Sequence, residues 1–529
     1  MHFNLSPYGA SRPVAMGKRG VVATSQPQAV LAGMEMFLQK GNAVDAAIAM
    51  AVALTVLEPT SNGIGSDAFA IVWDGNMQGL NASGKSPAKL DTTLLRGRQT
   101  FPELGWLPVT VPGAVSAWMA LWHRYSSLPL EKIFAPAIRY ATEGFALTPT
   151  VARAWANDHE RFLALPEPLR QSFYDCFFPN GFTPRPGAIF ANPAQAETLK
   201  DIAQTAGESF YRGALAEKII AYAEATSGFL SPKDLAEHEP MWVEPLALDY
   251  RGYTVYELPP NGQGLAALIA LGILSGFELS RYPRESAESY HLQIEAMKLA
   301  LADARHYITD PANMPIDPKT FLRADYLAKR QALIGRRALP LTDPGHPQGG
   351  TVYLAAADGD LMVSFIQSNF MGFGSGVVIP GTGIALQNRG ACFALDPVHP
   401  NAVAPSKRPF HTIIPAFLGK DGKPLGPFGV MGGPMQPQGH VQVMVNMVDY
   451  GMNPQSALDA ARWQFVAGNH VLLESSVPRS VALALADCGH AIEMVAETAP
   501  FGKGQIILKR DDYFIAGSEP RADGLALAW

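Results

Sequence analysis

Gly349-Gly350-Thr351, running directly into Val352-Tyr353-Leu354-Ala355-Ala356-Ala357, decides how the rest of the chain is read. Two glycines make a hinge, a threonine follows, and the threonine opens an apolar, strand-like run. Autocatalytic exposure of a nucleophile needs that order. If the peptide bond before Thr351 breaks, Thr351 becomes the first residue of a new chain. Its hydroxyl can then act as nucleophile and its own freed α-amine as base. An α-amine titrates near ~8, so a sizeable fraction is unprotonated at neutral pH. Gly-Gly-Thr before a strand is also what an ordinary loop looks like, and the flanking sequence has to separate the two.

The composition sets the frame. With 529 residues, 48% hydrophobic and 17% charged, the chain can bury a large core as several domains or one large α/β body. The net charge of −6, without basic tracts, argues against a nucleic-acid partner. Cys176, Cys392 and Cys488 are too few and too far apart for a disulfide framework or a metal-site spacing. No His-x-x-x-His or His/Cys cluster is present, so neither a metal nor another cofactor is expected. The start, Met1-His2-Phe3-Asn4-Leu5-Ser6-Pro7, lacks a secretory pattern, and the run from Ala46 to Leu57 is too short to span a bilayer. These features lead us to expect a cytoplasmic protein with no membrane contact.

Along the chain, Gly20–Thr24 reads as a strand, Pro27 to Leu38 and Val44 to Leu57 as helices, and Ala68 to Trp73 as a strand. Between them, Thr60 to Asp67 is a turn-rich loop without a Gly-x-Gly-x-x-Gly or a Walker lysine. Residues 110–310 are mainly helical in pattern (Ala114 to Tyr125, Ile133 to Glu143, Ala194 to Ala206, Ala214 to Ala225, Ala287 to Tyr307), with one strand-like insert, Arg251 to Leu258. Residues 309–350, rich in Pro, Asp and Gly, read as a solvent-exposed connector. Past Thr351 strands are expected at Thr351 to Ala357, Leu361 to Gln367, Gly383 to Gln387 and His411 to Phe417. Helices are expected at Val441 to Tyr450 and Pro454 to Phe465, with closing strands at Ile492 to Val495 and Gln505 to Lys509. Strands flanked by helices on both sides imply layered α/β packing.

Several further stretches resemble the γ-glutamyltranspeptidase family over nearly the whole chain. They are Gly20-Val21-Val22-Ala23-Thr24-Ser25, Gly41-Asn42-Ala43-Val44-Asp45-Ala46-Ala47, Glu58-Pro59 through Gly63-Ile64-Gly65, Val111-Pro112-Gly113, Arg251-Gly252-Tyr253 and Glu295-Ala296-Met297-Lys298-Leu299-Ala300. Phe373-Gly374-Ser375-Gly376, Lys407-Arg408-Pro409 and Gly432-Gly433 follow in the same order. The resemblance implies an αββα four-layer fold of the N-terminal-nucleophile type. It also implies one cut between Gly350 and Thr351, giving a large piece, 1–350, and a small piece, 351–529, that stay associated. Carried over by position, Thr351 is the nucleophile and Ser368 the hydroxyl that orients it, with Asn369 one register away and able to share the role. Gly432 and Gly433 supply the oxyanion N–H groups.

The family holds glutamate by its α-carboxylate and α-amine, and here the sequence departs. The arginine position ahead of Ser86-Pro87-Ala88-Lys89 is Ser83. Leu386-Gln387-Asn388 is followed by Arg389, and the later acidic position is Cys392. Phe410-His411-Thr412 replaces paired serines, and the segment between Cys392 and Lys407 is short for a lid. A guanidinium repels an ammonium and suits a carboxylate, which it can grip with two hydrogen bonds. The expected substrate is therefore a small amide with a carboxylate near the scissile carbonyl. Oxamate is the best candidate, held by Arg389 with His411, Thr412 and Asn369 nearby. His411 is expected in substrate contact or packing, since the Thr351 amine already fills the base role. Cys392 reads as a small buried filler and His440 as a helix-start residue. Two other readings remain: γ-glutamyl transfer or glutathione hydrolysis, and a non-catalytic binder. The expected partners are a small amide and the two pieces of one precursor, and a homodimer of the processed unit is compatible with the sequence.

Overall fold

The computed structural model describes residues 12–340 and 350–529. Its centre is the antiparallel hairpin of Gly350–Asp358 and Leu361–Phe370. Side chains alternate along it because successive residues of a strand point to opposite faces. Val352, Leu354 and Ala356 enter one core, whereas Tyr353, Ala355 and Ala357 enter another. This double burial explains why the run is apolar throughout, without polar positions between the apolar ones.

Two seven-stranded sheets result. The first runs Leu525–Ala528, Gly20–Thr24, Gly350–Asp358, Leu361–Phe370, Asp67–Trp73, Met77–Asn81, Met241–Val243. The second runs Ala15–Gly17, Phe514–Ser518, Lys503–Lys509, Lys423–Met431, Ala416–Lys420, Tyr253–Glu257, Leu246–Tyr250. Every pairing within them is antiparallel. Phe69, Ile71, Tyr353 and Ile366 from one sheet meet Phe417, Met431, Ile507 and Phe514 from the other. Helices cover both outer faces. Pro27–Leu38, Ala43–Leu57 and Ala114–Tyr125 lie on the first sheet, and Gly264–Leu274, Ala287–Tyr307 and Gln436–Val448 on the second. The architecture is the αββα sandwich expected.

Local chemistry accounts for the element ends. Pro27 opens its helix where a missing N–H costs nothing. Ala43–Leu57 starts on a capping box: Asn42 accepts from Val44 and Asp45 N–H while the Asp45 carboxylate accepts from Asn42 N–H. All its residues are buried, as expected for a helix apolar on every side.

Several expected elements change. The helix from Pro454 stops at Asp459, and Trp463–Ala467 is a strand. Gln438 and Gln442 explain the break: their amides exchange hydrogen bonds with the backbone of Phe465 and Trp463, as a neighbouring strand would. Gln436–Val448 begins earlier than read because the turn Gly433–Met435 runs straight into it. Gly383 to Gln387 contracts to Ile384–Ala385, and of the expected strand His411 to Phe417 only the last two residues are in one, Ala416–Lys420. Phe514–Ser518 and Leu525–Ala528, not Gln505–Lys509, close the chain. Gly264–Leu274 was missed because a wholly apolar helix shows no period. The expected connector contains a helix, Ala324–Gln331, and its residues 341–349 lie outside the described residues.

Candidate active site

Thr351 is buried near the start of the central hairpin, on the face between the two sheets. A register shift between Gly350 and Val352 turns its side chain toward Ser368 on the partner strand. Thr351 Oγ donates to Ser368 Oγ at 3.1 Å, and Ser368 Oγ donates to the Gly350 carbonyl at 2.5 Å. Phe370 N–H donates to the same serine oxygen at 2.8 Å. A hydroxyl gives one hydrogen bond and accepts two, so Ser368 is fully satisfied. Glycine is required at 350: a Cβ there would lie 2.8 Å from the Thr60 carbonyl oxygen and 3.1 Å from Ser61 Cα.

Asp67 pairs with Ser368 across the sheet and carries the second part of the site. Its Oδ2 lies 3.0 Å from His411 Nε2 and 3.7 Å from Arg389 Nε, with all three side chains buried. Ile413 N–H donates to His411 Nδ1, so Nε2 holds the ring proton and donates it to Asp67. Burial, and secondarily the Arg389 charge, holds His411 well below its ordinary pKa, so the ring is neutral. Burial pushes the Asp67 carboxyl up to about 7, against the lowering pull of Arg389. Arg389 Nη1 donates to Thr412 Oγ1 at 2.7 Å, and the guanidinium lies over the Phe370 ring. Arg389 Nε and Nη2 are buried without a hydrogen-bond acceptor. Such donors are costly to bury unless something else satisfies them.

Gly432 and Gly433, at φ 136° and 58°, sit in backbone regions that favour glycine. They head a turn that leads into Gln436–Val448, where the first N–H groups have no intrahelical acceptor. Gln263 ties this turn to the arginine side. Its Nε2 donates to the Thr412 carbonyl at 2.6 Å and to the Gly433 carbonyl at 2.9 Å. Gln263, Thr412, Phe370 and Pro434 line a cavity of about 520 Å³, with Phe101, Phe393 and Phe410 among its apolar walls. Phe370, which lines this cavity, is also the register partner of Gly350.

The structure thus brings together Thr351, Ser368 and Gly350, and, beside them, Arg389, Thr412 and His411. Asn369 points to the opposite face of its strand, where its Oδ1 accepts from Ser66 Oγ at 2.8 Å. Ser83 is buried and bonded to Asn81 and Asn261, presenting no charge. Cys392 lines the cavity 3.8 Å from Arg389 Nη1, and burial raises its thiol pKa. His440 lies inside its helix, bonded to the buried carboxylate of Glu257. Asp67 and Gln263 were missed. Asp67 ends a stretch that reads as a plain turn, and its partners come from more than three hundred residues away. Gln263 follows a strand and precedes an apolar run, a position with no chemical signature of its own.

The Asp67 shift sets a pH dependence. A carboxyl raised on folding binds a proton in the native state, between ~4 and ~7, that the unfolded chain lacks. This group's contribution to stability therefore falls as pH rises through that window. The melting temperature of the wild type should drop relative to Asp67→Asn between about pH 5 and about pH 7. Parallel curves for the two proteins would contradict the burial account.

Comparison with known proteins identifies the family. Residues 29–529 match the family model described as Gamma-glutamyltranspeptidase. The chain is 34% identical to a glutathione hydrolase-like YwrD proenzyme of Bacillus subtilis (strain 168), covering 97% of this chain and 99% of that one. It is 31% identical to an oxamate amidohydrolase proenzyme of Klebsiella pneumoniae, covering 96% and 98%. Among solved structures, a cephalosporin acylase from Bacillus halodurans superposes with a TM-score of 0.94 at 51% identity, covering 99% and 98%. The chain belongs to the γ-glutamyltranspeptidase family, and it is a hydrolase of the N-terminal-nucleophile fold.

Proposed function

We propose that the chain is a proenzyme that cuts itself between Gly350 and Thr351 and then hydrolyses a carboxylate-bearing amide. The observation that carries the first step is the Ser368 hydroxyl, which bridges the Thr351 hydroxyl and the Gly350 carbonyl. Thr351 Oγ attacks the Gly350 carbonyl carbon. Negative charge grows on the oxygen that already accepts from Ser368, a donor aimed where charge develops. The C–N bond breaks, the nitrogen takes a proton, and the resulting ester is hydrolysed by water. Residues 1–350 become the large subunit and 351–529 the small one. In the mature enzyme the Thr351 amine is the base, and Gly432 and Gly433 N–H groups receive the oxyanion of the substrate.

The substrate class rests on Arg389. Its Nε and Nη2 have no hydrogen-bond acceptor, with Nε 3.7 Å from the Asp67 carboxylate; Thr412, which lines the cavity, fixes the guanidinium, and a substrate carboxylate would satisfy these donors. Oxamate is the smallest amide of this kind. A cavity of about 520 Å³ with phenylalanine walls has room for more, and sites of this size hold drug-sized ligands. This volume favours a longer amide, with the carboxylate at Arg389 and an apolar body along the phenylalanines. The names of the relatives, an oxamate amidohydrolase and a cephalosporin acylase, cover the small and the large form of this class. The γ-glutamyl reading fits less well, because Ser83 offers no charge for a glutamate carboxylate and Arg389 repels an ammonium.

Two experiments test the proposal. Ser368→Ala should slow conversion of precursor to two subunits by ~10²–10³-fold, the usual loss for one donor at an oxyanion. A denaturing-gel time course reads it, and an unchanged rate would contradict the role given to Ser368. Arg389→Gln should still yield subunits, which reports folding, but lose ~30–100-fold in kcat/KM, the value of a hydrogen bond to a charged group. Ammonia release from oxamate, oxalurate, glutamine, asparagine and glutathione, with p-nitroaniline release from glutaryl and γ-glutamyl anilides, reads the difference. Comparable turnover of the γ-glutamyl anilide would restore the transpeptidase reading.

A further inference from the structure

The Glu295-Ala296-Met297-Lys298 stretch takes no part in the chemistry above, yet its two charged side chains are wholly buried. They lie a turn apart on Ala287–Tyr307 and pair at 2.9 Å. Burying two charges is expensive unless their remaining valences are filled. Here they are filled from both sides of the proposed cut. Lys298 Nζ donates to the Leu339 carbonyl at 2.6 Å and to Asn469 Oδ1 at 3.0 Å. Leu339 N–H donates to Glu295 Oε2 at 2.8 Å.

Two histidines extend the cluster. His291 shares a 2.8 Å hydrogen bond with the Gly335 carbonyl, so its Nε2 carries the proton. His291 Nδ1 then accepts from His490 Nε2 at 2.9 Å. Burial, with His291 and Lys298 nearby, holds His490 down to about 3, so that ring is neutral. Ala338 N–H donates to the Cys488 carbonyl at 2.8 Å. His291, Glu295 and His490 offer ligand atoms within 4.8 Å of one another, as a metal site would. The Lys298 ammonium already occupies the cation's place on Glu295, and a second cation beside it would be repelled.

We infer that this cluster is a staple between the subunits, with Lys298 as its resident cation. It clamps residues 335–339, near the end of the large piece, onto Asn469, Cys488 and His490 of the small piece. In the uncut chain the connector is also held through Gly350, which belongs to the central hairpin. Cleavage removes that second attachment, so the mature enzyme depends on the staple more than the precursor does. The inference rests on the proposed cut at Gly350–Thr351.

The test compares Lys298→Met in the wild-type background and in the uncut Thr351→Ala background, using full chains. Limited proteolysis with mass analysis of the large piece is the readout. Opening should rise enough that Lys298→Met in the cleaved enzyme is trimmed near 335–339 at least about tenfold faster than cleaved wild type. The uncut double variant should be trimmed at nearly the rate of Thr351→Ala alone. Asn469→Ala, which keeps the ion pair and loses one acceptor, should show the same pattern more weakly, and stands in if Lys298→Met does not fold. Equal acceleration in both backgrounds, or none in either, would overturn the staple. Stoichiometric zinc in the purified enzyme would overturn Lys298 as its cation. A wild-type protein that stays a single chain would instead remove the cleavage on which the staple rests.

Discussion

Ser368 has one proton to give, and it gives it to the carbonyl of Gly350. That choice is imposed from elsewhere. Thr351 and the Phe370 N–H both donate to the serine oxygen, leaving its own proton directed at the Gly350 carbonyl. The bulge at Gly350, the close approach of Thr60 and Ser61, and the pairing of the two central strands all serve to hold this geometry. A side chain at position 350 would push the strand away and separate the donor from its target.

The neighbouring buried charges follow a different logic. Arg389, Asp67 and His411 are wholly buried together, and each group bears the cost of lost hydration. His411 meets that cost by staying neutral, and Asp67 by retaining a proton up to about 7. Arg389 cannot shed its charge, and part of its hydrogen-bonding capacity is unfilled. Under the proposed function, this fixed and incompletely satisfied cation is prepared for an anion, with the ordering of the side chain completed before the ligand arrives.

Much of this was legible from residue order. The apolar run after Gly350-Thr351 became the central strand, and Pro27 and the run from Val44 to Leu57 gave their helices, although the Asn42/Asp45 box that starts the second was not read from the sequence. The central strand and its partner fell where their apolar runs put them. What was not legible depended on contacts between distant segments. The Trp463 strand exists because two glutamines on another helix present amide groups to it, which no local propensity encodes. Gly264–Leu274 is apolar on every side and so has no periodicity to detect. Arg389 was readable as a cation, but its partner Asp67 looked like the end of a turn until the sheet brought the two together. His411 was expected in substrate contact or packing, and its ring is buried with Nε2 on Asp67. The His291, Glu295 and His490 grouping has no spacing signature, since His490 comes from a remote segment.

The proposed amide hydrolysis requires that Thr351 carry a free amine. Edman sequencing of the purified, mature protein addresses that requirement directly. A small fragment beginning Thr-Val-Tyr-Leu is the predicted result. A protein that yields no start at Thr351, either because it stays one chain or because it is cut elsewhere, would contradict the account.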